Sequence, residues 1–164
     1  MTVLFDANFL VRLFDPQIYE TKCEDPRFTF LHDTLTKNNQ KIIVPTPALS
    51  ELLIGAGDNV DKYLSLIRKS NKFQITPFNE RAAIEAAEAH REAIQRGDKR
   101  DGSETKTKLK FDRQIVAIAK VFNASTIYSE DKDIKRYGER VRIMVVGLDE
   151  LPFPPESPQR ELQL

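Results

Sequence analysis

The chain has 164 residues, of which 40% are hydrophobic and 30% charged, which fits one globular domain with a core of ordinary size. Its 25 Lys and Arg balance 25 Asp and Glu, so only local charge can speak for a nucleic-acid partner. The single cysteine, Cys23, excludes an intrachain disulfide, neither His32 nor His90 stands in a zinc-ligand spacing, and no apolar run approaches a membrane span. The start, MTVLFD, places an acid where a signal peptide needs an apolar region, so the expected location is the cytoplasm.

Residues 2–5 form an apolar run that ends in Asp6, a first strand. Residues 7–14 follow as a helix with Phe9, Leu10, Leu13 and Phe14 on one face, and Asp6 stands where an N-cap would. Asp15-Pro16 breaks it, and Asp25-Pro26 opens a helix that Asn38-Asn39 closes. KIIV, residues 41–44, is the second strand. Thr46 is expected to cap the next helix, with Pro47 in its first turn and Gly55 and Gly57 at its end. Glu51 lies inside that helix among Leu49, Leu52, Leu53 and Ile54, where a buried carboxylate would need a partner.

A helix over 58–69, a strand over 72–76 and an Ala-rich helix over 79–95 come next, the last ended by Gly97. Residues 98–105 are polar and contain Gly102-Ser103, a loop or helical break. Past Lys106 to Lys110 the chain reaches Asp112, which begins an amphipathic helix with Ile115, Val116, Ile118, Ala119 and Phe122 inward and Asn123 at its end. Residues 124–128, ASTIY, read as a strand, and at its exit stand Ser129, Glu130, Asp131 and Asp133. A helical turn over 131–137 and a strand over 141–146 complete the pattern. The end, residues 152–164, carries four prolines and forms a tail. Strands alternating with helices imply a mostly parallel sheet in a three-layer α/β/α domain.

In such a sheet ligands gather at the carboxyl ends of strands. Asp6 and Asp131 follow two of these strands, Glu51 lies on the helix after another, and Asp112 lies on a helix leading into one. These stretches, VLFDANFL at 3–10, SELL at 50–53, Asp112 with Ile115-Val116-Ala117, and SEDKDI at 129–134, resemble a PIN domain of the kind found in VapC toxins. The resemblance covers roughly residues 1–147, so residues 1–151 are taken as the nuclease domain. It implies a strand order of 3-2-1-4-5 and a metal-dependent endoribonuclease. It also implies an RNA substrate, a small antitoxin as partner and a homodimer. The family's acids map onto Asp6, Glu51, Asp112 and Asp131, with Asp133 as a variable fifth. Asn8 and Ser129 match the polar residues that hold those acids in place. Ile134 stands where an aromatic is common, and the insertion over 97–110 is longer than in the small toxins. The alternative is a PIN-like domain without catalysis that binds nucleic acid or protein.

The chemistry of the acids points the same way. Crowded carboxylates repel and raise at least one pKa, and a hard cation relieves this. All-oxygen donors select Mg²⁺ or Mn²⁺, and a pair of such ions about 4 Å apart supports phosphodiester hydrolysis by water. Lys106, Lys108, Lys110 and Arg113 surround Asp112 in sequence and are the candidate phosphate contacts, with Lys99 and Arg100 extending them. The other reading of that run is a solvated lysine-rich loop.

Overall fold

The computed structural model describes residues 1–14 and 25–156. Cys23, the Asp15-Pro16 break and residues 157–164 of the tail lie outside the described residues. The elements in chain order are β1 (Thr2–Phe5), α1 (Ala7–Phe14), α2 (Pro26–Lys37), β2 (Lys41–Pro45), α3 (Thr46–Gly55), a 3-10 turn at Gly57–Asn59 and α4 (Val60–Lys69). They continue with β3 (Phe73–Thr76), α5 (Glu80–Gln95), α6 (Lys106–Val121), β4 (Thr126–Tyr128), α7 (Lys132–Arg140), β5 (Met144–Val146) and a 3-10 turn at Leu148–Glu150.

The five strands form one parallel sheet in the order β3-β2-β1-β4-β5, as expected. Central β1 pairs Val3 with Ile42 on one side and Val3 with Thr126 on the other. Val3, Leu4 and Phe5 are buried, as a strand covered by helices on both faces requires. Phe5, Phe9, Phe28 and Tyr128 pack together with ring centroids 5.4–6.5 Å apart and lock α1 and α2 to the sheet. From β1 the chain crosses to β2 on one side and later returns to β4 on the other. The carboxyl ends of β1 and β4 therefore flank the point where strand order reverses, the usual crevice of such sheets.

Three boundaries differ from expectation. Pro45, not Thr46, occupies the cap position of α3, and Thr46 Oγ1 instead accepts from the Phe78 amide at 3.3 Å. β5 begins only at Met144, because Arg142 takes a φ of 59° and the Ile143 amide turns back to the Gly138 carbonyl. The largest difference is α6, which starts at Lys106 rather than Asp112. Thr105 caps it by accepting from the Lys108 amide at 3.1 Å, and fully buried Leu109 anchors the extra turns. Asp112 thus stands nearly two turns inside a rigid helix.

The polar loop before α6 is pinned. Asp101, 2% exposed, forms ion pairs with Arg113 at 2.8 Å and with Arg140, and Arg96 approaches at 3.7 Å. Its carbonyl accepts from Arg136 at 2.6 Å and from the Tyr137 hydroxyl at 3.3 Å. The Arg113, Arg136 and Arg140 guanidinium groups lie 5.2–5.9 Å from the Tyr137 ring centre. Gly102 makes this approach possible: its φ is +76°, and a Cβ there would stand 2.8 Å from the Arg136 guanidinium. Gly102 and Ser103 accordingly do not loosen the loop; Ser103 is itself buried.

Burial alone would raise the Asp101 pKa, but Arg140 and Arg113 hold it below the ordinary carboxylate value. A folded-state pKa below the unfolded one contributes stability above the unfolded pKa, near 4, and loses it as pH falls through the folded value. Asp101→Asn should therefore cost about 3 kcal/mol at neutral pH, by stranding buried arginine. In urea titrations the gap between variant and wild type should narrow below about pH 4; a gap of the same size at pH 3 and pH 7 would remove the ion pair as its cause.

Candidate functional site

Asp6 leaves the end of β1 and is 6% exposed. Its Oδ1 accepts from the Ala7 amide at 2.6 Å, and its Oδ2 accepts from the Ser129 hydroxyl at 2.8 Å. Ser129 Oγ in turn accepts from the Asp131 amide at 3.1 Å. The serine after β4 thus joins the acid after β1 to the acid that opens α7. Asp131 is a true cap as well as a site residue, because its Oδ1 accepts from the Asp133 and Ile134 amides at 2.7 and 3.4 Å. Asp112, 7% exposed, reaches the same place from α6. Glu51 reaches it from α3, on the exposed side of that helix, while Leu52 beside it fills the core.

Asp6, Asn8, Glu51, Asp112 and Asp131 line one cavity of about 550 Å³, together with Thr105, Thr107, Lys108 and Phe111. The cavity thus brings together the four acids singled out in the sequence. Ser129 is bonded to Asp6. Asn8 lines the cavity, and its buried Oδ1 has no hydrogen-bond partner among the described residues. Oxygens of Asp112, Asp131 and Asp133 lie within 4.8 Å of one another.

Burial first, and crowding after it, raises the pKa values of Asp6, Glu51 and Asp112. Burial pushes Asp6 up to about 6 against the Ser129 and Ala7 hydrogen bonds, with Glu51 and Asp131 adding repulsion. Burial also raises Asp112 to about 6, opposed by Lys108 and reinforced by Asp131 and Asp6. Glu51 is raised by desolvation in the cavity, then by Asp112 and Asp131. The donors are hard oxygens of several carboxylates, with an orphaned amide oxygen beside them. That set fits a hard divalent cation and does not fit zinc.

The basic residues do not form the continuous rim that the sequence suggested. Lys108 points into the acids, its Nζ 2.8 Å from Asp112, 2.8 Å from Asp131 and 2.7 Å from Asp133. Arg113 is 5% exposed and serves Asp101 and His90, so it is structural rather than a phosphate contact. Lys106 and Lys110 turn to a second cavity of about 350 Å³ beside α5 and α6, rimmed also by Lys99. The reason is helical: residues 106 and 110 share one face and residues 108 and 112 another. Asp133, the variable fifth acid, already holds Lys108 and Arg136, the latter at 2.6 Å, and these two outweigh burial to lower its pKa. Sequence reasoning missed the place of Lys108; its spacing of four from Asp112 on one helix was the available signal.

A chain of VapBC2 from Rickettsia felis, solved bound to a DNA fragment from their promoter, superposes with a TM-score of 0.62 at 18% identity, over 90% of this chain and 98% of that one. A chain of DNA-bound VapBC from Salmonella typhimurium gives 0.57 at 16% identity, over 90% and 98% of the two chains. VapBC-1 from nontypeable Haemophilus influenzae gives 0.54 at 13% identity, over 91% and 99%. No curated protein matches this sequence. The family model for the PIN domain matches residues 3–140, from β1 to the end of α7, and the chain belongs to the PIN domain family of nucleases.

Proposed function

We propose that this protein is a divalent-metal-dependent endoribonuclease that acts as the toxin of a toxin–antitoxin pair. The observation that carries the reading is the meeting of Asp6, Glu51, Asp112 and Asp131 in one cavity at the strand ends. Those carboxylates would hold Mg²⁺ or Mn²⁺, which when bound supplies an activated water and charge stabilisation for phosphodiester hydrolysis. Ser129 keeps the Asp6 carboxylate turned toward the cavity. Asp131, its Oδ1 fixed by two amides of α7, turns its Oδ2 into the site, where it meets Lys108 at 2.8 Å. The cavity opens at the surface, as a polymeric strand needs. Lys106, Lys110 and Lys99 offer backbone-phosphate contacts outside the acid cluster. The VapBC assemblies that share this fold support a small antitoxin as partner, and a homodimer belongs to the same reading.

A second reading is a nucleic-acid or protein-binding domain without catalysis. What favours it is Lys108, whose ammonium already satisfies part of the acid cluster. Cleavage of RNA with and without EDTA separates the two. The enzyme should cut in Mn²⁺ and stop in EDTA, Asp6→Asn should be inactive though folded, and Ser129→Ala should lose about 10-fold as a residue that orients a ligand. Cleavage by Asp6→Asn at the wild-type rate would end the assignment.

Metal binding should also be visible without turnover. At 100 times its Kd, Mn²⁺ would stabilise the native state by about 2.7 kcal/mol through mass action. The melting temperature should rise for wild type and stay fixed for the Asp6→Asn, Asp112→Asn double mutant. Equal shifts in both would place the ion elsewhere.

The lysine assignment has its own measurement. Lys106→Ala with Lys110→Ala should flatten the log–log salt dependence of RNA binding by about 1.4, the value for two contacts to a single strand. An unchanged slope would show that the strand runs along another face.

A further inference from the structure

Lys108 is placed as an ion would be placed. An ammonium has three donors, and here it meets three carboxylates at 2.7–2.8 Å, those of Asp112, Asp131 and Asp133. Each element of the contact is fixed independently. The Lys108 amide is tied to the Thr105 cap in the first turn of α6. Asp112 lies one helical turn further along the same helix. Asp131 is held by the amides of α7, and Asp133 is held by Arg136. Burial works against the lysine charge, but the three hydrogen bonds more than offset it.

The cation covers only one half of the site. Asp6 is bonded to Ser129 and Ala7, not to Lys108. Asp112 and Asp131 are shared between the halves. We propose that Lys108 is the fixed second cation of the site, so that the protein takes up a single divalent ion against Asp6, Glu51, Asp112 and Asp131. The proposal rests on reading the cavity as a divalent-cation site.

The charge balance differs with and without the lysine. Asp6, Glu51, Asp112, Asp131 and Asp133 carry five negative charges, and Lys108 and Arg136 return two positive ones, leaving three. One divalent ion leaves the site at minus one, and a second would turn it to plus one with two metal ions crowded against an ammonium. Without the lysine, four negative charges remain and a second ion has a vacated place among three carboxylates. Lys108 then supplies, as a point charge, the electrostatic part of what a second ion gives phosphoryl chemistry.

The test is the number of Mn²⁺ ions bound, read by isothermal titration calorimetry on the full chain at neutral pH, with folding checked by circular dichroism. Wild type should bind about one ion, Lys108→Met about two, and Lys108→Arg about one. The arginine variant keeps the charge and stands in should the methionine variant misfold. Two ions in wild type would show that the lysine is displaced, and one ion in a folded Lys108→Met would show that the vacated place takes none; either overturns the proposal. No binding by any of the three proteins would instead overturn the cation reading of the cavity itself.

Discussion

Burial of neighbouring carboxylates is the constraint around which this molecule is built. Asp6, Glu51, Asp112 and Asp131 come from four separate elements, and nothing but the fold keeps them together. Unfolded, they would drift apart and regain water. Folded, burial and mutual repulsion raise Asp6, Glu51 and Asp112. The energy for this comes from the core beneath: Val3, Leu4 and Phe5 of β1, the Phe5–Phe9–Phe28–Tyr128 cluster, and the apolar face of α6 with Ile115, Ile118 and Ala119. Strain of this kind at a site, supported by ordinary packing elsewhere, is how a fold stores binding capacity.

Helix α6 carries most of the consequence. It packs against α5 on one side and α7 on the other. One of its faces offers Asp112 and Lys108 to the site, and another offers Arg113 to Asp101. Its first turns are therefore as important as its last. A helix beginning at Asp112 would leave that acid at a frayed terminus, free to swing. Beginning at Lys106, capped by Thr105 and anchored by Leu109, it holds Asp112 in its interior.

The sequence made the βα order, the parallel sheet and the four acids legible, because each rests on local signals. Apolar runs such as VLF and KIIV mark buried strands, and Asp6, Asp131 and Asp112 stand next to clear periodic segments. The start of α6 was not legible: KTKLK has one apolar residue, so periodicity is silent, and the cap that decides it is a single threonine. The four basic residues around Asp112 looked like one patch because linear proximity ignores helical phase. Arg113 could not be seen as buried, since its partner Asp101 sits in a loop whose polar composition suggested solvent.

Arg136 joins the two charged networks that these differences reveal. One of its nitrogens donates to the Asp101 carbonyl and to Asp133 Oδ1, both at 2.6 Å. Asp133 Oδ2 then accepts from Lys108. A continuous path of charged hydrogen bonds thus runs from the buried loop before α6, through α7, to the ammonium among the site acids. Bonds to charged groups are stronger than neutral ones, and those in a low-dielectric interior are stronger still. The path fixes Asp133 from both sides, so this acid behaves as a bracket between loop and lysine. The polar segment ahead of α6 then has a physical use. It delivers Asp101, and Asp101 collects the arginines that fix α7, whose first residues carry the caps and contacts on which Asp131 and Asp133 depend.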